Sequence, residues 1–228
     1  MTSMTDGIVN INGDNIQTLE IIFLMAMFTL LPSAVVLMTS FTRYIISLSF
    51  LRNAMGTQQT PPNMVLVGLA LFLTMFTMAP VLEQISEPYE LYTNEEIDQA
   101  EFLEQAQIPL KRFMIKNTDT SSIRLFYELD SDRNKPAFPA NEDEAVENLS
   151  MAIVIPAFAT SELKRAFEIG LYLYIPFLLV DIIVSTTLMS MGMIMLPPSM
   201  ISTPFKLLLF ISLNGWELFF STLVRGFR

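Results

Sequence analysis

Asp181 is the side chain best placed for chemistry, because it is an ionisable group between the apolar run Ile169–Val180 and the uncharged run Ile182–Phe205. At the centre of a membrane helix such a group costs roughly 2.5–3.5 kcal/mol on insertion scales, so it needs a partner or a wet cavity. Lys206 is the nearest basic residue in sequence, and a hairpin could return it to Asp181. We interpret the two as a structural ion pair. The alternative is a proton or ion relay, which normally needs several titratable groups in series.

Methionines form a second candidate site, since five of the 16 lie between Met189 and Met200. They are usually core filling, because Met packs anywhere in apolar surroundings. Here their alternation around Gly192, before a double proline, predicts a helix that loosens near Gly192 and ends before Pro197. A loose apolar loop could line a deformable constriction that seals by excluding water. Its candidate residues are Met191, Met193, Ile194 and Met195.

The third candidate is the connection from Arg52 to Pro62, which combines turn residues, two amides and a double proline. Prolines are favoured at helix starts, so this pair predicts the start of the next helix. The physics of these residues alone indicates no more than a turn on the cytoplasmic side. The candidate residues are Arg52, Asn53, Gly56, Gln58, Gln59, Pro61 and Pro62.

The residue types of the chain do not support a catalytic function. The chain has no Cys and no His, which excludes a disulfide framework, a zinc site of the usual kind and an imidazole base. Phosphate-loop, dinucleotide, nucleophile-elbow and metalloprotease motifs are missing from the sequence. A net charge of −10 argues against nucleic-acid binding, which needs clustered Lys and Arg. We therefore predict neither an enzyme nor a bound metal or cofactor.

The distribution of charge indicates a membrane protein with an acidic insert. Of 36 charged residues in the chain of 228, 26 lie between Glu83 and Glu168, where 18 are acidic and 8 are basic. The remaining residues have no net charge and contain uncharged runs of 20 to 24 residues, together with an apolar run of 18 residues, Leu207–Val224, that is broken once by Glu217. A membrane-spanning helix needs about 20.

We therefore predict an all-α protein with four hydrophobic helices in two hairpins, on either side of an acidic helical domain. The predicted division is a polar N-terminal segment 1–20, a first hairpin 21–82, the acidic domain 83–168 and a second hairpin 169–228. Segment 1–20 has no signal-peptide pattern, so we expect this start to be a mature end.

The positive-inside bias places the connection carrying Arg43 and Arg52 in the cytoplasm and the acidic domain outside. Arg225 and Arg228, at a terminus that this topology puts outside, conflict with it.

Helix starts can be predicted within the acidic domain. Thr93–Glu96 has capping-box spacing and predicts a helix that runs to Ile108. Asn141–Glu144 predicts a second start, and Thr160–Leu163 predicts a third that leads into the next apolar run. Asp130–Pro136 is typical of a loop.

Several motifs together resemble the FliP/SctR family of type III secretion export-gate subunits, and in particular its flagellar members. The most specific match is Leu51–Asn63, reading LRNAMGTQQTPPN, and Leu37–Ile46 precedes it. The similarity continues in Pro156–Lys164 and in Pro204–Leu207. It covers most of the chain outside residues 90–150.

The resemblance implies a pentameric ring that joins FliQ and FliR in a helical export gate of the bacterial inner membrane, in the flagellar basal body. Unfolded flagellar proteins would pass through its channel, an FlhB-like protein would contact its cytoplasmic side, and the acidic domain would be periplasmic. It also implies hairpins lifted above a simple four-span arrangement, and a leader peptide that is cleaved.

The resemblance assigns the channel gasket to Met193, Ile194 and Met195, where relatives commonly carry three methionines, and it supports the Asp181–Lys206 pair. Ile194 departs from that pattern and is stiffer at χ1. Two other functions stay open: a transporter of ions or small solutes that uses Asp181, and a structural membrane anchor for the acidic domain.

Overall fold

The fold was analysed in a computed structural model that describes residues 8–11, 14–57, 59–130, 137–193 and 195–227. The all-α prediction is confirmed, because almost every element of the described chain is a helix. One antiparallel β-hairpin departs from it, in the segment expected to be merely polar. Its register pairs Ile8 with Gln17 and Ile11 with Asp14. Four-residue strands are too short to show a clear alternation of apolar and polar residues.

The described elements follow one another in this order: β1 Ile8–Ile11, β2 Asp14–Gln17, α1 Thr18–Met38, α2 Phe41–Ala54, α3 Asn63–Thr93, α4 Gln99–Lys116, α5 Thr120–Leu129, α6 Glu142–Asn148, α7 Met151–Ser190, α8 Pro198–Ser212 and α9 Gly215–Arg225. The chain divides into two compact units, residues 1–36 and residues 37–228. The first unit contains the β-hairpin and most of α1. All the sites described below belong to the second unit.

Two helices, α3 and α7, are each long and apolar enough to cross a membrane. Two further pairs of helices, the end of α1 with α2 and α8 with α9, are each bent at a short break. If each pair counts as one span, the chain has four candidate spans. In the second pair, Asn214 takes a left-handed conformation with φ of 49°, and the helices meet at 66°. The apolar run predicted as one helix over 207–224 is therefore divided between two helices.

Two separate apolar cores organise the second unit. The domain core lies among α4, α5, α6 and the adjoining ends of α3 and α7, and contains Met114, Leu149 and Phe158. The span core lies among α2, α8, α9 and the opposite ends of α3 and α7, and contains Tyr44, Ala70 and Phe210. Because α3 and α7 contribute to both cores, they connect the acidic domain to the apolar helices.

Neither α3 nor α7 breaks at the boundaries predicted at residues 82/83 and 168/169, so the division into four segments stays a prediction. The predicted helix start at Thr160 is wrong. One helix of 40 residues begins after Ser150 and runs through the apolar sequence to Ser190. Ser161 and Glu162 are residue types typical of a helix start, but they lie in the middle of α7 and both side chains are buried.

The capping box predicted at Thr93 is also wrong, because α3 continues to Thr93 and ends there with Glu95 in a left-handed conformation. The next N-cap is Asp98, whose carboxylate accepts a hydrogen bond from Glu101 N at 2.8 Å. Helix α4 then continues through Pro109, which contradicts the predicted end at Ile108.

The start predicted at Asn141 is confirmed, since the Asn141 side chain accepts from Glu144 N at 2.8 Å and α6 begins at Glu142. Most of the loop predicted over 130–136 lies outside the described residues, which exclude 131–136. Pro62 is the N-cap of α3, so the double proline does precede a helix start, as predicted.

Candidate functional sites

The structure brings Asp181 and Lys206 together. Asp181 lies on α7 and Lys206 on α8, and Lys206 Nζ donates a hydrogen bond to Asp181 Oδ2 at 2.6 Å. The Lys206 side chain is 7% exposed, whereas that of Asp181 is 35% exposed. Charge-assisted hydrogen bonds are stronger than neutral ones, so this contact fixes the packing of α8 on α7. Its role in function stays a prediction.

Gly56 brings the Arg52–Pro62 connection next to this ion pair. It follows the end of α2 with φ of +75°, a left-handed conformation that glycine adopts without strain. A Cβ at Gly56 would lie 3.0 Å from Thr203 Oγ1 and 3.9 Å from Lys206 Nζ. Two sites that are far apart in sequence are therefore neighbours, and a side chain at position 56 would crowd Thr203 and contact Lys206.

Arg52 fastens the same connection to the start of α3. Its guanidinium donates to Asn63 Oδ1 at 2.6 Å and to the Pro61 carbonyl at 3.3 Å. The Asn53 carbonyl accepts from Gly56 N at 3.1 Å. The connection is therefore a fixed turn with an exposed outer surface. Asn53, Gln59 and Pro62 are exposed, and Gln58 lies outside the described residues.

The methionine loop, residues 191–196, begins at a sharply defined helix end. Gly192 has φ of +75°, Met193 N donates to Leu188 O at 3.0 Å, and Gly192 N donates to Met189 O at 3.1 Å. These two bonds make a Schellman motif, which satisfies carbonyl groups that a helix end otherwise leaves free. Helix α7 therefore ends at Ser190. The left-handed Gly192 terminates it at the position where a loosened helix was predicted.

The methionine side chains that the structure describes in this loop face outward in the isolated chain. Met195 is 97% exposed and Met191 is 67% exposed, while Met193 is 36% exposed. Ile194, the remaining candidate gasket residue, lies outside the described part of the chain. Exposed methionines at the end of a fixed helix form an apolar, deformable surface.

The structure contains a second ion pair that the sequence analysis missed. Arg43 on α2 and Glu162 on α7 form a bidentate pair in which Arg43 Nε donates to Glu162 Oε2 at 2.7 Å. A second guanidinium nitrogen donates to Glu162 Oε1. Both residues are almost wholly buried. This pair cross-links the two helices where the domain core and the span core meet.

Arg43 also holds the C-terminal end of α9. It donates to the Gly226 carbonyl at 2.9 Å, and its guanidinium carbon lies 3.6 Å from the centre of the Phe227 ring. Phe227 packs against both cores, with its ring 5.4 Å from that of Tyr44 and 6.0 Å from that of Phe113. One arginine thus connects α2, α7 and the segment after α9.

Glu162 could have been recognised from its spacing. Phe158, Glu162 and Ala166 follow one another at four-residue intervals, so they share one helix face. Since Phe158 and Ala166 are apolar, that face predicts a buried carboxylate in need of a cation. Arg43 gave no such signal, because it ends a long uncharged run and resembles a residue of a loop.

Asp119, between α4 and α5, joins the acidic domain to α7 by a more exposed cluster. Lys164 Nζ and an Arg165 nitrogen donate to its two carboxylate oxygens at 3.1 Å and 3.0 Å. Burial by itself would raise the pKa of the Asp119 carboxyl. The hydrogen bonds from Arg165 and Lys164 outweigh burial and hold this pKa below its ordinary value.

Within the described ranges, no group of three or more acidic side chains could hold a metal ion. The polar contacts described here fasten helices to one another, and apolar side chains such as Met195, Phe72 and Tyr172 are widely exposed. Soluble monomers rarely expose contiguous apolar surface on this scale, so such surface marks contact with a membrane or with other subunits. Fold and sites together define a helical protein of a membrane complex.

Comparison with known proteins identifies the family. The model of the FliP family matches residues 24–223. Flagellar biosynthetic protein FliP of Aquifex aeolicus is 42% identical over 217 residues, covering 95% of this chain and 88% of that protein. FliP of Pectobacterium carotovorum is 43% identical and covers 95% and 82%, and FliP of Bacillus subtilis is 43% identical and covers 92% of each. The chain belongs to the FliP family of flagellar biosynthetic proteins, which is in keeping with a component of the flagellar export apparatus.

Proposed function

We propose that this chain is a core subunit of the flagellar export gate, and that it forms with FliQ and FliR a channel across the bacterial inner membrane. Unfolded flagellar proteins are its cargo, five copies make its ring, and an FlhB-like protein joins on the cytoplasmic side. The chain binds and passes polypeptide without catalysing a reaction, and other parts of the apparatus supply the energy. The observation that carries the proposal is the family match over residues 24–223.

The uncovered apolar surface of the chain supports an assembled state. The half of α7 that follows Gly170 exposes Leu171, Tyr172 and Ile183 by more than half of their surface. Covering this much apolar surface stabilises a complex by about 25 cal/mol for each Å² removed from water. Neighbouring subunits and lipid both provide such cover. Its charge excludes the acidic domain from hydrocarbon. We place it on the periplasmic side, opposite the Arg52 connection that the positive-inside bias puts in the cytoplasm.

The methionine loop supports a seal in the resting channel. Its start is fixed by the Schellman motif at Gly192, while Met193 and Met195 project beyond it. In a ring, one such loop from each copy would meet at the axis and exclude water and ions. Unbranched methionine side chains could then move aside for a passing polypeptide.

We test the proposal by replacing Met193 and Met195 together with Ala. Truncating both side chains widens the constriction, so the resting conductance to ions is expected to rise by about ten-fold or more, since water then fills the gap. The matched control replaces Met64 and Met75 on α3, which are 85% and 63% exposed and lie outside the loop. That control is expected to leave the conductance unchanged.

Native mass spectrometry of the complex, extracted in mild detergent, gives the second readout. Both variants should retain the assembled complex, so that a leak cannot be due to disassembly. An unchanged conductance in the loop variant would contradict the gasket role alone. A native chain that is extracted as a lone monomer, without small membrane proteins bound to it, would contradict the export gate itself.

A further inference from the structure

A cavity of about 440 Å³ lies between α3, α4 and the C-terminal residues of the described chain. It lies beside the Arg43–Glu162 pair, because Arg43 packs on Phe227 of its lining, and none of its lining residues belongs to the Asp181–Lys206 pair or to the methionine loop. Its floor is apolar and includes Phe76, Pro80 and Phe227. Arg112 and Lys116 of α4 also line it. The cavity is therefore amphipathic, with hydrocarbon surface and positive charge in one space.

The two cations are available to a ligand. Arg112 and Lys116 are four residues apart on one helix, so they lie on the same face. Lys116 is exposed and forms neither a hydrogen bond nor an ion pair with any residue that the structure describes. Arg112 has a long contact of 3.6 Å to Asp143, whose side chain is 90% exposed. An exposed pair at this distance holds Arg112 only weakly.

The lining of this cavity is basic although the domain around it is strongly acidic. No Asp or Glu belongs to the lining, in which Thr77 and Gln84 are the polar uncharged members. The segment from Glu83 to Glu168 nevertheless carries a net charge of −10. The cavity is thus complementary to an anion that has an apolar part, and acidic surface surrounds it.

The cavity lies at one end of the apolar run of α3. Phe76, Pro80 and Val81 belong to the last turns of the uncharged run Asn63–Leu82, and Glu83 is the first charged residue after it. Twenty helical residues are about 30 Å long, which matches the hydrocarbon thickness of a bilayer. In a chain that crosses the bilayer with this run, the two cations would lie where hydrocarbon gives way to headgroups.

We propose that this cavity binds an anionic phospholipid. The headgroup phosphate lies between Arg112 and Lys116, and an acyl chain packs along Phe76, Pro80 and Phe227. Basic residues at a membrane surface attract anionic lipid, and two of them favour it over zwitterionic lipid by about ten-fold. Inorganic phosphate would satisfy the cations and leave the apolar floor uncovered.

The test uses the full chain in its assembled complex, extracted in mild detergent and offered dioleoyl phosphatidylglycerol or dioleoyl phosphatidylcholine. Bound lipid is counted by native mass spectrometry. We expect phosphatidylglycerol to be retained about ten-fold more strongly, and millimolar inorganic phosphate to displace little of it. Equal retention of the two lipids would overturn the proposal, and complete displacement by phosphate would assign the cations to a free anion.

Variants locate the binding. Arg112→Gln with Lys116→Gln removes both cations and should abolish the preference, while Gln84→Glu should weaken it by adding a carboxylate to the lining. The matched control is Arg124→Gln with Lys164→Gln, which changes the net charge equally on residues outside the cavity and should keep the preference. Loss of the preference in both double variants would indicate attraction by overall charge and would overturn the site. Thermal unfolding checks that all variants fold.

Discussion

Glu162 and Asp181 are two carboxylates on the same helix, each paired with a cation from another element, but their surroundings differ. The Glu162–Arg43 pair is closed, since both side chains are 2% exposed or less, and packed helices surround it. The Asp181–Lys206 pair is open on one side, where a third of the Asp181 side chain is exposed. The chain therefore completes the first pair by itself and leaves the second at a surface.

The same difference runs along α7. The half around Glu162 is buried at Val154, Ala157 and Phe158, which belong to the domain core. The half around Asp181 exposes most of its apolar side chains and buries few, among them Phe177. An apolar composition therefore predicts that a surface is buried, but only the packing shows whether the chain itself buries it.

The largest effect is expected from Arg43→Met. It leaves the Glu162 carboxylate buried without a cation, which costs about 3–5 kcal/mol of the free energy of unfolding. The apparent unfolding temperature, followed by the fluorescence of the single tryptophan, Trp216, is expected to fall. Arg43→Met combined with Glu162→Met should recover much of the loss, because it removes both charges. A double variant as unstable as the single one would show that the buried charge is not the cause.

The next effect is expected from Gly170→Ala, at the junction of the two halves. A Cβ there would lie 2.5 Å from Phe50 Cγ, and the Phe50 ring already packs 5.2 Å from that of Phe167. Overpacking of this kind costs about 1–3 kcal/mol. Gly68→Ala on α3 is the matched control, because nothing lies within 4 Å of its Cβ position, and a gain of roughly 0.5–1 kcal/mol is expected. Equal thermal stability of the two variants would contradict close packing of α2 on α7.

A smaller effect on the isolated chain is expected from Asp181→Ala, because this pair is partly solvated. Its loss should cost about 1–2 kcal/mol, well below that of Arg43→Met. The amount of assembled complex is expected to fall with it. Exchanging the charges, Asp181→Lys with Lys206→Asp, should restore part of the assembly. Restored assembly without any restored function would instead favour the transporter that relies on the Asp181 carboxylate.

The smallest effect is expected from Asp119→Asn, about 0.5–1 kcal/mol at pH 6. Because its carboxyl pKa is lowered by folding, the stabilisation is complete above the unfolded pKa of about 3.9 and is lost as pH falls through the lower folded value. The stability difference from the native chain should therefore shrink below about pH 4. Asp143→Asn, at the exposed 3.6 Å pair, is the control and should show little difference at any pH. A difference for Asp119→Asn that is independent of pH would exclude the ion pairs as its source.

The sequence predicted those features that depend on local spacing. The uncharged run Asn63–Leu82 predicted the apolar part of α3, Asn141 predicted the start of α6, and Pro62 predicted the start of α3. The runs 21–42 and 207–224 were each predicted as one helix and are each divided between two. Where two local signals competed, the prediction failed: Thr93–Glu96 has the spacing of a capping box, but α3 continues over Thr93 and the next helix uses Asp98.

Features that depend on contacts between distant residues could not be predicted in this way. Arg43 and Glu162 are 119 residues apart, and Gly56 meets Lys206 across 150 residues. The break at Asn214 was missed because the length of Leu207–Val224 favoured a single span, although Asn214 and Gly215 form a dipeptide that is typical of turns. The outcome there depends on how Phe210 and Trp216 pack, with ring centres 5.2 Å apart.

Because α7 is one unbroken helix, a small tilt at one of its ends displaces the other end by a larger distance. Glu162 clamps the helix to α2, and Met191 lies about 43 Å further along the axis at 1.5 Å per residue. A tilt of about 5° at the clamp would carry the methionine loop sideways by about 4 Å, roughly the separation of two packed carbon atoms. A change too small to disturb either core could therefore move the far end of α7 by the width of a side-chain contact.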